Sequence, residues 1–260
     1  MEVFYELSKS PPTHDFCNWL SRVSTLGDIQ VRIVPGDRDL SPRDKYYGKE
    51  KRLWRIQNLL TPLAWLLPSV TDVSLGRGEQ KHAYGHPGGP QAPCLRAPEH
   101  ARKIVKQFLP PKVVTISLRN SDFEPERNTN NAEWELVCDW LSNKGYTPVI
   151  IPDAEADMSG RYRDIPYIHY RAASYHPALR VALYELAHHN LFICSGVQLL
   201  AMYCDIRLTS FKTHVPGIQC LGKEYMRKAG WSPEHKWPNK QVFWETDTSE
   251  NVIQVLGRTL

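Results

Sequence analysis

Residues 112–141 read KVVTISLRNSDFEPERNTNNAEWELVCDWL. VVTISL is a continuous apolar run of strand length, rich in β-branched residues. After a polar turn, NAEWELVCDWLSNKG puts Trp134, Leu136, Val137, Trp140 and Leu141 on a broad apolar face and stops at Gly145, so it reads as a helix. YTPVIIPD is the next strand. Buried strands joined by a helix are the unit of a parallel sheet covered on both faces. The join also carries what a core alone does not require: Arg119 where the strand ends, Arg127 in the turn, and Asn130 or Asn131 to cap the helix.

The same alternation extends in both directions. Toward the N-terminus, MEVFYEL, IQVRIVPG and TDVSLG read as strands, and HDFCNWLSRVSTLG as a helix ended by Gly27. KEKRLWRIQNLLTPLAWLLPSV reads as one helix or a broken pair. Toward the C-terminus, HPALRVALYELAHH, GVQLLAMYCD and GKEYMRKAG read as helices, LFICSG and IRLTSF as strands, and IPYIHY as a further candidate strand. QVFWETD leads into a last helix, SENVIQVLGRTL. YGHPGGPQAPCLRAP, rich in glycine and proline, reads as a linker between two blocks. The expected architecture is α/β: two Rossmann-like halves with parallel sheets facing a cleft. The N-terminal half spans residues 1–108 and the C-terminal half 109–260, the last helix reaching back onto the N-terminal half. One larger doubly wound sheet is the alternative.

A chain of 260 residues with 42% hydrophobic and 23% charged residues is ordinary globular composition. A net charge of +4 suits anionic small molecules and falls short of a nucleic-acid-binding signature. The six cysteines form no CxxC pair and read as reduced, buried thiols. No signal peptide is evident at the N-terminus, and LLTPLAWLLPSV is too short to span a bilayer, so a cytoplasmic protein with no transmembrane segment is expected.

Ligands of open parallel sheets bind beyond the carboxyl ends of the strands. There the sequence offers Arg119 and Arg127, whose guanidinium forks suit phosphate oxygens, with Asn128 beside them. It also offers a second strand-to-helix turn at Ser195, Gly196, Val197 and Gln198, where a glycine permits close approach and the first helical amides are unpaired. Lys212 adds charge. The plainer readings are an ion pair of Arg127 with Glu124 or Glu126, Arg119 tied to loop carbonyls, and a tight turn at Gly196. Neither GxGxxG nor a Walker loop is present.

The segments VTISLR…ERNTN…EW…L…GYTPVIIPD and ALRVALYELAHHNLFICSGVQLLAMYCDIRLTSFK resemble the nucleotide-binding half of GT-B glycosyltransferases over residues 113–212. The resemblance is to the fucosyltransferase-like group and to uncharacterised bacterial glycosyltransferase-like proteins. It implies that Arg119 holds a sugar-nucleotide diphosphate and that Ser195, Gly196, Val197 and Gln198 cradle its phosphates. Where the fucosyltransferase pattern has a histidine before paired arginines, this chain has Ser117 and a single Arg119, so fucose is not implied. The resemblance further implies a general base just beyond the first strand of the N-terminal half, where Thr13, His14 and Asp15 stand. His14 would take the proton and Asp15 orient it; alternatively Asp15 or Thr13 caps the following helix. Glu185 and Asp122 are other candidate carboxylates.

His169, His176, His188 and His189 match no zinc spacing, and neither metal nor cofactor is expected. The basic run RAPEHARKIVKQFLPPK reads as a solvated helix face. Trp231, Trp237, Phe243 and Trp244 suit core packing or the stacking of a base or sugar ring. The expected activity is metal-independent transfer of a sugar from a nucleotide-diphosphate sugar to a glycan, lipid-linked saccharide or protein. A non-catalytic nucleotide-sugar-binding or scaffold protein, and a polysaccharide pyruvyl transferase-like enzyme, are the alternatives.

Overall fold

The computed structural model describes residues 1–36, 48–85, 92–162, 165–232, 234 and 236–260. Part of the Gly/Pro-rich linker, residues 86–91, lies outside them. The N-terminal elements are β1 (Glu2–Glu6), α1 (Phe16–Val23), β2 (Ile29–Val34), α2 (Lys49–Arg55), α3 (Thr61–Ala64) and β3 (Val70–Leu75). A π-helical turn, Ile56–Leu60, joins α2 to α3 without a break. The segment read as a helix or a broken pair is therefore one helix, with Pro62 tolerated in the first turn of α3. α4 (Glu99–Phe108) leads into the C-terminal elements β4 (Val113–Ser117), α5 (Asn131–Asn143), β5 (Thr147–Ile151), α6 (Ala154–Met158), β6 (Ile168–His169) and α7 (Ala172–Tyr175). Then come α8 (Pro177–Leu186), β7 (His189–Ile193), α9 (Gly196–Met202), β8 (Leu208–Phe211), α10 (Lys223–Lys228), β9 (Lys240–Val242) and α11 (Ser249–Thr259).

The strands form two sheets, β1-β2-β3 and β6-β5-β4-β7-β8-β9, and every strand pair in them is parallel. The molecule is thus an α/β protein of two Rossmann-like halves, and the single larger sheet does not form. Two details depart from the sequence reading. QVFWETD contributes β9 at a sheet edge, and IPYIHY shortens to the two residues of β6. Strands so short give almost no periodicity to detect.

All five residues of β4 and of β7 are buried, as central strands covered on both faces require. One core continues from the first sheet into the second. Tyr5 packs edge-on against Phe16, which stacks on Trp19, and the same cluster includes Val149, Phe192 and Leu200. Polar contacts join the halves as well. The Tyr203 hydroxyl donates to Asn18 Oδ1 at 2.7 Å, and Glu185 accepts from the Ala97 amide and from Arg102 Nε. Glu185 is thereby a clasp between α8 and the start of α4. A separate cluster covers the other face of the large sheet. There α11 buries Val252 and Leu256 beside Trp134 and Val137 of α5, so the last helix packs within the C-terminal half rather than on the N-terminal one.

His189 on β7 is buried, its Nε2 2.9 Å from Thr209 Oγ1. Burial, aided by the charges of His188 and Arg207, lowers its pKa from the usual 6.5 to about 4. The unfolded chain therefore takes up this proton before the folded protein does. Stability from the neutral ring is complete above the unfolded pKa and is lost as pH falls toward the folded one. Between about pH 7 and about pH 4.5 this loss is expected to be about 2–3 kcal/mol. Denaturant titrations at both pH values should show a correspondingly smaller drop for His189→Gln, and equal drops would refute the assignment.

Candidate functional site

Numbered from its own first strand, the six-stranded sheet has the order 3-2-1-4-5-6. The direction of winding reverses between β4 and β7, and a crevice opens outside their carboxyl ends. Arg119 follows the end of β4 and Ser195 follows the end of β7. Both line a cleft of ≈ 680 Å³ whose opposite wall comes from the N-terminal half, including His14, Trp54, Arg55 and Asn58.

The loop after β4 is organised around Arg119. Nη1 donates to the Glu124 carbonyl at 3.0 Å and to Asn128 Oδ1, and Nη2 donates to the Phe123 carbonyl. The side chain of Asn128 also accepts from the Ser121 amide and donates to its carbonyl, closing the loop on itself. Glu124 sits in the left-handed region, φ +52°, where a non-glycine residue is uncommon. Arg127 reaches across the crevice. It pairs with Glu124 at 2.6 Å and donates to the Cys194 carbonyl at 3.2 Å, tying the loop after β4 to the turn after β7. The sequence's plainer reading of these contacts, an Arg127–Glu124 pair and an Arg119 bound to loop carbonyls, is what the geometry contains. Both residues nonetheless line the cleft. Burial, and then the adjacent Arg127 charge, push the Arg119 guanidinium down to about 10, so it remains charged at neutral pH.

The turn after β7 approaches the N-terminal half closely. A methyl group on Gly196 would lie 2.5 Å from Nδ1 and 2.9 Å from Cγ of His14. Glycine is needed here for close approach, not for an unusual φ. His14 is therefore packed on the turn rather than solvated. Asp15 holds the N-cap position of α1 without a side-chain cap bond, and its carboxylate accepts from the Thr13 hydroxyl at 2.7 Å. Ser195 likewise stands at the N-cap of α9 without capping it. Its Oγ is buried with no hydrogen-bond partner among the described residues, as are Arg127 Nε and Asn120 Nδ2. Buried polar atoms without partners are uncommon, and of these three residues Arg127 and Ser195 line the crevice.

The cleft brings together His14, Arg119, Arg127, Ser195, Gly196 and Val197. Asn128, Gln198, Lys212 and Asp15 do not line it. Asn128 braces the Arg119 loop from within. Lys212 Nζ donates to the Asn128 carbonyl at 2.8 Å and lies 3.7 Å from Asp247. Gln198 is buried, its Nε2 without a partner among the described residues. Of the other carboxylates, Glu185 serves the clasp already described and Asp122 pairs with Arg161.

Among the lining residues that escaped the sequence reading are Asp153 and Arg180. Asp153 follows β5 and caps α6 through Oδ1, accepting from the amides of Glu155 and Ala156. The carboxyl-end rule that selects Arg119 selects Asp153 equally. Arg180 is buried on α8, with Nε donating to the Ala173 carbonyl and Nη1 to the Tyr184 hydroxyl. Tyr184 also bonds Ser117 at 2.8 Å, so a buried polar chain runs from β4 to the cleft. An arginine inside the apolar helix PALRVALYEL was the available signal. Among the described residues no group of three His, Cys, Asp or Glu side chains is placed to hold a metal ion.

No protein-family model matches the chain, and no curated protein matches it. Among solved structures it is similar to the crystal structure of the glycosyl transferase family 9 from Veillonella parvula DSM 2008, with 12% sequence identity, 99% of this chain and 88% of that chain covered, and a TM-score of 0.47.

Proposed function

We propose that the protein is a glycosyltransferase that takes its sugar from a nucleotide-diphosphate carrier, with the diphosphate held in the crevice between β4 and β7. The observation that carries the reading is the convergence at one switch point of three guanidinium groups, Arg119, Arg127 and Arg180, with the unpartnered Ser195 hydroxyl. Planar guanidinium forks match phosphate oxygens and stay charged at neutral pH. A departing diphosphate gains negative charge, and fixed positive groups aimed at it lower the barrier. With that charge supplied by arginines, the transfer needs no metal, and turnover is expected to persist in EDTA. His14, facing the turn from the other half, is the base that takes the acceptor hydroxyl's proton. Residues 1–108 then supply the acceptor side and residues 109–260 the sugar-nucleotide side.

Thermal-shift titration against uridine and guanosine diphosphate sugars tests the reading. A ligand that binds only the folded form at about a hundred times its Kd stabilises by about 2.7 kcal/mol. No shift with any member of the panel would defeat the proposal. Gly196→Ala sharpens the test. The new methyl must displace His14 and narrow the turn, while the backbone conformation remains open to alanine. Its stability without ligand is expected to fall by about 1–3 kcal/mol, the cost of overpacking the turn against His14. Its ligand-induced shift should be largely lost, and an undiminished shift would place the ligand elsewhere.

A further inference from the structure

The apolar sequence of α8, PALRVALYEL, carries two buried polar side chains one helical turn apart. Arg180 is 5% exposed and Tyr184 1%. Packing alone accounts for neither. Tyr184 sits edge-on to Phe192 at 5.1 Å, a contact that phenylalanine would make equally well. Arg180 is a buried charge that no carboxylate among the described residues neutralises. Its anchors are neutral: Nε donates to the Ala173 carbonyl at 2.7 Å and Nη1 to the Tyr184 hydroxyl at 3.1 Å. Those bonds use two of five N–H groups, and the residue lines the cleft. The Tyr184 hydroxyl also stands 2.8 Å from Ser117 Oγ at the end of β4, two residues before Arg119. The Tyr184 carbonyl accepts from Asn190 Nδ2 at 3.0 Å, which holds the residue at its backbone as well. Burial raises the phenol's pKa, so the hydroxyl stays neutral.

We infer that Tyr184 is a positioning residue for diphosphate binding: it sets Arg180 against the ligand and ties it to the strand that leads to Arg119. The inference rests on the transfer reading above and deepens it. A carboxylate in the place of this phenol would hold the guanidinium but offset its charge, as Glu124 does beside Arg127. A hydroxyl fixes the fork and leaves its charge to the cleft. The diphosphate supplies the anion that the buried guanidinium lacks. An arginine fixed before the ligand arrives loses little rotamer freedom on binding it, so a hydroxyl that never touches the ligand raises affinity.

A double-mutant cycle on the full chain, read by calorimetry with uridine and guanosine diphosphates as probes, tests the inference. Tyr184→Phe keeps the ring and removes the anchor, and its Kd is expected to rise about three- to tenfold. Arg180→Met should raise Kd by more than about tenfold. In the Arg180→Met background, Tyr184→Phe should change Kd by less than about twofold, a coupling that a merely structural tyrosine would not produce. Ser117→Ala gives a second arm should Arg180→Met fail to fold. It leaves the Tyr184–Arg180 bond in place, and its effect on Kd combined with Tyr184→Phe should be less than the product of the two. Undiminished binding by Tyr184→Phe, or a Tyr184→Phe loss that persists in full with Arg180→Met or multiplies fully with Ser117→Ala, would overturn the inference and leave the Arg119 crevice as the site. A parent protein that binds neither probe would defeat the transfer reading, and this inference with it.

Discussion

Arg119→Ala is expected to weaken binding of a nucleotide-diphosphate sugar by more than tenfold and to lower stability by about 2–4 kcal/mol. The two effects have different origins. The guanidinium has five N–H groups, and three of its bonds go to Phe123, Glu124 and Asn128 within its own loop. Removing it leaves the Phe123 and Glu124 carbonyls and the Asn128 amide oxygen without that donor, and the loop that carries Arg127 to the Cys194 carbonyl loses its centre. The loss of binding adds the loss of one positive charge from a crevice where Arg127 is its neighbour. Arg119→Lys separates the two. It keeps a charge but has no planar fork to span the three acceptors. Binding should recover in part while stability recovers little. Calorimetry with the sugar nucleotide, paired with denaturant titration, measures both. An Arg119→Ala protein that is destabilised but binds with full affinity would make Arg119 a loop brace alone and move the phosphate site toward Arg127 and Arg180.

This dual character explains how much of the site the sequence disclosed. The strand pattern located Arg119 and the Ser195 turn because both follow buried runs whose length and composition mark them as central strands. The carboxyl-end rule then needed no side-chain detail. It did not distinguish residues that face the crevice from residues that support it. Asn128 and Lys212 have the right chemistry and the right loops, yet one closes the Arg119 loop and the other bonds the Asn128 carbonyl from outside the cleft. Side-chain direction in an irregular loop depends on long-range contacts such as Lys212 with Asp247, which no local pattern encodes. Arg180 shows the converse. Its helix reads as plain core, and only the packing of α8 under the crevice gives the arginine a role. The same limit applies to the elements. β4, β5 and β7 were legible as buried apolar runs, whereas β6 and β9 are too short to carry periodicity and exist because a neighbouring strand offers them an edge.

His14→Ala addresses what separates a transferase from a protein that only binds. If His14 accepts the proton of the acceptor hydroxyl, its removal is expected to lower transfer by about 10²–10⁴-fold. Sugar-nucleotide affinity should change much less, because the phosphate contacts proposed here come from the C-terminal half. His14 also packs on Gly196, so a purely structural role predicts a different pattern: affinity and stability would fall together as the turn relaxes into the vacated space. His14→Gln fills much of that space without an imidazole to accept the proton. Transfer and hydrolysis of a sugar nucleotide, measured beside calorimetric affinity for both variants, therefore give three readable patterns. Lost turnover with retained affinity in both variants supports the base. Lost affinity in His14→Ala that His14→Gln restores, with turnover restored as well, makes His14 a packing residue. Binding without turnover in the parent protein leaves the fold as a sugar-nucleotide receptor, and His14 then has no proton to move.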